Sequence, residues 1–155
     1  GDLEPYLMPV QSRVGAFNTW DLSWRGWKRA AELHLNSCEG FVMMHLSSLV
    51  VPSNLAAFLS YLDPEDAYYM GQVRGLNTWN NEGVLYNDKA AYMLNKKALR
   101  LLYFRLSAIE EDTDGSSRGE YVCANAPGEF EEQRIAACLK DVGVNPMETR
   151  DAEGR

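Results

Sequence analysis

Apolar residues recur along this chain either at helical spacing or in short compact runs, and the two kinds of segment alternate. From Thr19 onward, Trp24, Trp27, Ala31 and Leu35 share one face of a helix, with Thr19 or Asp21 as its cap and Gly26 as a weak point. Phe41-Val42-Met43-Met44-His45-Leu46 has the length of a buried strand and is broken by Ser47 and Ser48. Pro52 stands where a first helical turn tolerates it. Leu55, Phe58, Leu59 and Leu62 then make the apolar face of a short helix running into the turn Asp63-Pro64-Glu65-Asp66. Ala67-Tyr68-Tyr69-Met70 predicts the next strand, and Gly71 to Gly83 a loop carrying Trp79 among asparagines.

The clearest unit follows, from Asn87 to Phe104. A polar turn (Asn87, Asp88, Lys89) leads into a strand, Ala90-Ala91-Tyr92-Met93-Leu94. Asn95 then caps a helix from Lys96 whose apolar face is Ala98, Leu99, Leu102 and Leu106. Beyond an acidic loop, Glu110 to Gly119, a last helix is expected from about Glu129 to Val142. Ile135, Cys138, Leu139 and Val142 are at helical spacing, glutamates suit its start, and Gly143 suits its end. Gly1 to Asn18 shows no clear period, being either an irregular lead-in or a strand near Leu7 to Val10 broken by Pro9. Strands alternating with helices predict an α/β fold. With no repeat and no low-complexity linker, residues 1–155 read as a single domain.

Composition narrows the function classes. A net charge of −7 argues against a nucleic-acid partner, because phosphate binding needs a basic face. Lys96, Lys97 and Arg100 form a local basic cluster that reads as a solvated helix face. No apolar run approaches the ~20 residues that span a bilayer, and no secretory signal is visible. Starting at Gly1 and ending on a polar tail, the chain is expected to be a trimmed or partial one. Cys38, Cys123 and Cys138 lack the close spacing of metal ligands; one disulfide plus a free thiol, or three buried thiols, both fit. Two distant histidines do not make a zinc site.

The segment Asn87 to Phe104 resembles one written roughly M-S-G-G-A-G-Y-V-L-S-(K/R)-(K/E)-A-L-(K/R)-R in core 1 β1,3-galactosyltransferases and their fringe-like relatives. Tyr92, Leu94, Lys96, Ala98, Leu99 and Arg100 stand in register. Asn54-Leu55 through Phe58-Leu59, Asp63-Pro64 and Tyr69-Met70-Gly71 is similar to N-L-x-x-F-L-x-x-x-D-P-x-x-P-x-Y-x-G. Glu131-Glu132 through Ile135, Cys138-Leu139 and Gly143-Val144 is similar to E-D-x-A-I-G-x-C-L-x-x-x-G-V, and Arg150 to Arg155 to R-D-x-x-G-(R/K). Asp21-Leu22-Ser23 stands where the family has a D-L-T-x-K-T-like helix start, so the resemblance runs from about Trp20 to Arg155.

That resemblance implies a partial GT-A-type nucleotide-sugar transferase domain, a mixed sheet flanked by helices. It implies a UDP-galactose donor, a glycoprotein acceptor of O-glycan core 1 type, and manganese as cofactor. It also implies a Golgi or endoplasmic reticulum lumen, the full-length form being a single-pass type II membrane protein. A Cys123–Cys138 disulfide follows from the family spacing, with Cys38 left over. Glu132 takes the acidic base position of the late helix, while Asp88 and Lys89, at the family's glycine pair, and Trp79 are the substrate-side positions.

The family's acidic metal run departs most. Aligned through Asn54-Leu55, its three aspartates fall on His45, Leu46 and Ser47, none a carboxylate. Neutralising a leaving diphosphate needs a cation held by hard oxygen ligands. The expectation is therefore a diverged pseudoenzyme that does not bind manganese. The alternative is a non-catalytic partner or folding chaperone of a homologous active galactosyltransferase; the family includes such a member, which also lacks the acidic triplet. The family's uridine-binding first strands and its late metal-binding histidine would lie before Gly1 and beyond Arg155.

Overall fold

A computed structural model of the chain describes residues 19–76, 84–107 and 130–149. Four helices and four strands lie among them: α1 (Thr19–His34), β1 (Gly40–Met44), α2 (Pro52–Leu59), β2 (Tyr69–Leu76), β3 (Val84–Asn95), α3 (Lys96–Ser107), α4 (Glu131–Asp141) and β4 (Pro146–Glu148). The strands form one mixed sheet in the order β1-β3-β2-β4. β3 is antiparallel to both its neighbours, and β2 runs parallel to β4. The fold is mixed α/β, with the sheet flanked by helices.

Helices α1, α3 and α4 cover one face of the sheet. Trp20, Trp24, Trp27 and Ala31 repeat at helical spacing along α1 and are buried against Tyr69, Tyr92 and Leu94 from the strands. Ala98, Leu99, Leu102 and Leu106 of α3, with Ile135, Cys138 and Leu139 of α4, complete this core. The opposite face carries Val42, Met44, Met70, Met93 and Met147, by strand alternation. Helix α2 lies on that side: a Cβ at Gly40 would meet Leu59 Cδ1 at 3.3 Å and Met93 Sδ at 3.7 Å. Met70 and Met93 are buried there, whereas Val42, Met44 and Met147 stay exposed.

Local chemistry fixes the element ends. Asn95 Oδ1 accepts the Ala98 N–H at 3.0 Å, which starts α3 as the cap pattern requires. The same oxygen accepts the Tyr68 N–H at 3.0 Å, and Asn95 Nδ2 donates to the Asp66 carbonyl at 2.7 Å. One side chain thus ties the start of α3 to the turn before β2. Gly143, at φ 80°, closes α4 in the left-handed region.

The strand expected from Phe41 to Leu46 ends at Met44 and, standing at the sheet edge, has no fully buried residue. Two further expectations need correction. Asn87, Asp88 and Lys89 do not form a turn before a strand; they lie inside β3. Gly71 to Gly83 is not all loop, because Gly71 to Leu76 continues β2 and pairs with β3. The register explains both. Tyr92 stands opposite Gly71 and Asn87 opposite Val73, so Asp88, Lys89, Ala90 and Ala91 face Gln72 alone in a wide bulge. Gly71 permits it: a Cβ there would meet Ala91 O at 3.0 Å and Asn87 Cβ at 3.1 Å. The short strand β4, parallel to β2 at the sheet edge, has no counterpart in the periodicity of the sequence.

Candidate functional site

The end of β1 and the bulge of β3 meet at one edge of the sheet. His45 donates its backbone N–H to Ala90 O at 3.1 Å, and the Ser48 hydroxyl donates to the same carbonyl. The turn is closed by Ser48 N–H to His45 O at 2.9 Å. Within it, His45 Nδ1 lies 2.8 Å from Ser47 Oγ and accepts the Ser47 backbone N–H at 3.3 Å. Leu46 projects wholly into solvent.

Manganese favours oxygen ligands, and a bound cation at a strand tip needs carboxylates or carbonyls converging on it. This strand tip offers one imidazole, an exposed leucine and hydroxyls, and no carboxylate. These residues do not fit a divalent metal. Among the described residues, no group of three or more His, Cys, Asp or Glu side chains is placed to hold one.

Asp88 belongs to the bulge. Its Oδ1 accepts the Ala90 N–H at 3.1 Å, and its Oδ2 accepts from Arg74 Nε at 3.2 Å. The carboxylate is therefore engaged by its own strand and by β2. His45 and Asp88 are brought together through Ala90, which each of them bonds. Lys89 shares this bulge as backbone, and Trp79 lies outside the described residues.

Glu132 sits in the first turn of α4 and is 5% exposed. Its charge acts on two phenols of the helical face, Tyr69 and Tyr92. Burial pushes Tyr69 far above the usual tyrosine range; the Asn87 N–H opposes this, and Glu132 and Glu131 reinforce it. Tyr92 is raised as well, by burial first and then by Glu131 and Tyr69, against the hydrogen bond from Trp27. The structure places Glu132 beneath the sheet, away from solvent. Glu131 accepts a hydrogen bond from the Ser23 hydroxyl, joining the starts of α1 and α4.

Several residues of this region carry no local signal in the sequence. Asn87 is fully buried; its N–H donates to Tyr69 Oη at 2.9 Å and its Nδ2 to Tyr69 O at 3.2 Å. Its Oδ1 finds no hydrogen-bond partner among the described residues. Trp27 Nε1 donates to Tyr92 Oη at 3.0 Å, and Tyr69 meets the Tyr92 ring edge-on at 5.5 Å between centroids. The signal available was that a buried phenol needs a polar partner.

Two concavities flank this framework. A groove of about 430 Å³ lies between α2 and the second face of the sheet, lined by Val42, Leu49, Val51, Phe58, Met70 and Met93 among others, with no charged side chain. A second, also about 430 Å³, lies at the opposite end of β3 beside Lys96, Lys97 and Arg100. There Lys96 pairs with Glu39 at 2.9 Å and Lys97 donates to the Glu65 carbonyl, so the basic cluster braces the start of α3.

Cys138 is fully buried and disulfide-bonded, Cys38 is free, and Cys123 lies outside the described residues, as do Arg150 to Arg155. None of the described helices is long and apolar enough to cross a membrane. No protein-family model matches the chain, and a search of curated proteins returns no match.

Proposed function

We propose that this chain is a diverged core 1 β1,3-galactosyltransferase-like protein, a GT-A-type domain in which metal-assisted transfer from UDP-galactose has been lost. The strand–cap–helix unit from Tyr92 to Arg100, with Asn95 capping α3, supports the kinship. The observation that carries the loss of activity is the strand tip itself. His45 Nδ1 is held by Ser47, and nothing anionic stands on the turn beside Met44. The groove next to it offers no cation to a diphosphate either. A base at Glu132 would have to act from beneath the sheet, next to two buried phenols.

The lumen of the Golgi or endoplasmic reticulum is the compartment proposed, supported by the disulfide at Cys138, for which Cys123 is the proposed partner. Incubation with UDP-galactose, manganese and an N-acetylgalactosaminyl peptide tests the reading. No release of UDP above the uncatalysed rate is expected; robust turnover abolished by Glu132→Ala would overturn it.

One observation favours a second reading, a non-catalytic partner of an active galactosyltransferase. The hydrogen bonds of His45 to Ala90 and of Lys96 to Glu39 set the pairing phase of β1, so the amides of Val42 and Met44 face outward at the sheet edge. That edge bears exposed apolar side chains and no charge, the kind of strand that accepts a pairing partner. Co-purification with an active homologue, and dependence of that homologue's yield on this chain, is the outcome this reading expects.

A further inference from the structure

The turn joining α1 to β1 carries the sequence Asn36-Ser37-Cys38. Asn36 is exposed in the middle of that turn. Ser37 N–H and Cys38 N–H both donate to His34 O, at 3.0 and 2.9 Å, and the Ser37 hydroxyl donates to the same carbonyl at 3.2 Å. Cys38 is a free thiol, with its sulfur 3.9 Å from Ser37 Oγ. Cys138, by contrast, is disulfide-bonded.

We infer that Asn36 is an N-glycosylation site of the asparagine-x-cysteine type. Acceptor asparagines lie in surface turns, two residues before a group that hydrogen-bonds the transferase. A hydroxyl does this best, and a reduced thiol does it more weakly, because S–H is a poor donor. A free Cys38 beside a bonded Cys138 meets that requirement: the chain reads as oxidised, yet the acceptor thiol is available. The inference rests on the lumenal reading given above.

The chemistry needs one co-substrate, an oligosaccharide carried on a lipid pyrophosphate. The Asn36 amide nitrogen forms a bond to the anomeric carbon, and the bond from that carbon to the pyrophosphate oxygen breaks. The lipid pyrophosphate leaves with the electron pair, and the amide proton passes to a carboxylate of the transferase. No other asparagine of the sequence has serine, threonine or cysteine two residues on, so a glycan on this chain has one address. The turn precedes Gly40, while the His45 turn follows Met44, so β1 separates the two. A glycan on Asn36 projects from the end of the sheet away from the candidate site.

The test is expression of the chain behind a secretory signal in eukaryotic cells, with digestion by the amidase that cleaves asparagine-linked glycans. The wild type is expected to show a partly occupied, amidase-sensitive band, with Asn36 converted to aspartate on digestion. Asn36→Gln and Cys38→Ala lose the band. Cys38→Ser, which keeps the motif with a better donor, raises its occupancy severalfold. An unmodified wild type, or a band that persists in Cys38→Ala, overturns the inference. Alkylation of Cys138 in the same samples separates the two readings: an oxidised Cys138 with an unmodified Asn36 sinks only the glycan, and a reduced Cys138 sinks the lumenal reading with it.

Discussion

Tyr69 and Asn87 hold each other twice: the phenol oxygen accepts the Asn87 backbone N–H at 2.9 Å, and the Tyr69 carbonyl accepts Asn87 Nδ2 at 3.2 Å. This exchange closes β2 on β3 where the bulge would otherwise leave buried amide groups without partners. Tyr69→Phe removes one acceptor and strands the Asn87 N–H. An orphaned buried donor costs about 1–3 kcal/mol, so the unfolding free energy from urea titration should fall by that amount, through a lower midpoint at unchanged slope.

Alkaline pH should destabilise the protein through the same phenols. Tyr69 and Tyr92 have pKa values raised in the folded state. Their contribution is thus intact below the unfolded tyrosine value of about 10, and is lost as pH climbs past it, because only the unfolded chain ionises readily. Urea midpoints taken from pH 8 upward should decline beyond about pH 10. The decline should be shallower in Tyr92→Phe; an unchanged slope would contradict the assignment.

Gly71→Ala tests the bulge. The added methyl would stand 3.0 Å from Ala91 O and 3.1 Å from Asn87 Cβ, both in the paired strand. Overpacking of this kind costs about 1–3 kcal/mol. Thermal unfolding should show the loss; equal stability would mean that β2 and β3 pair in another register.

Asn95→Ala should cost more than an ordinary helix cap. Capping alone is worth about 1 kcal/mol, and here the same side chain also holds the Tyr68 N–H and the Asp66 carbonyl. Asp88→Ala is the contrasting case. Its pair with Arg74 is half-exposed, and such pairs contribute about 0–1 kcal/mol. Calorimetric melting of the two variants should rank them in that order.

The helices were legible because their apolar positions repeat on one face: Ala98, Leu99, Leu102 and Leu106 are all buried as spaced, and Asn95 caps where its type and place predict. The sheet was less legible. Asn87 and Asp88 look like a turn because their polarity is judged locally, yet their partners are Tyr69 and Arg74 on the neighbouring strand. Gly71, Gln72, Arg74 and Gly75 lack alternation, so β2 beyond Met70 was hidden. β4 is too short for any period and begins with a proline. At the candidate site, the absence of a carboxylate at His45, Leu46 and Ser47 could be read directly. The hold of Ser47 on the imidazole and the burial of Glu132 are tertiary facts, set by a turn and by helix packing.

The proposed function requires that this strand tip capture no cation and so no sugar nucleotide. Titration calorimetry of UDP-galactose into the chain, with and without manganese, measures it without any acceptor. No manganese-dependent binding heat is expected in wild type. Saturable binding that requires manganese, and that weakens in His45→Ala, would contradict it.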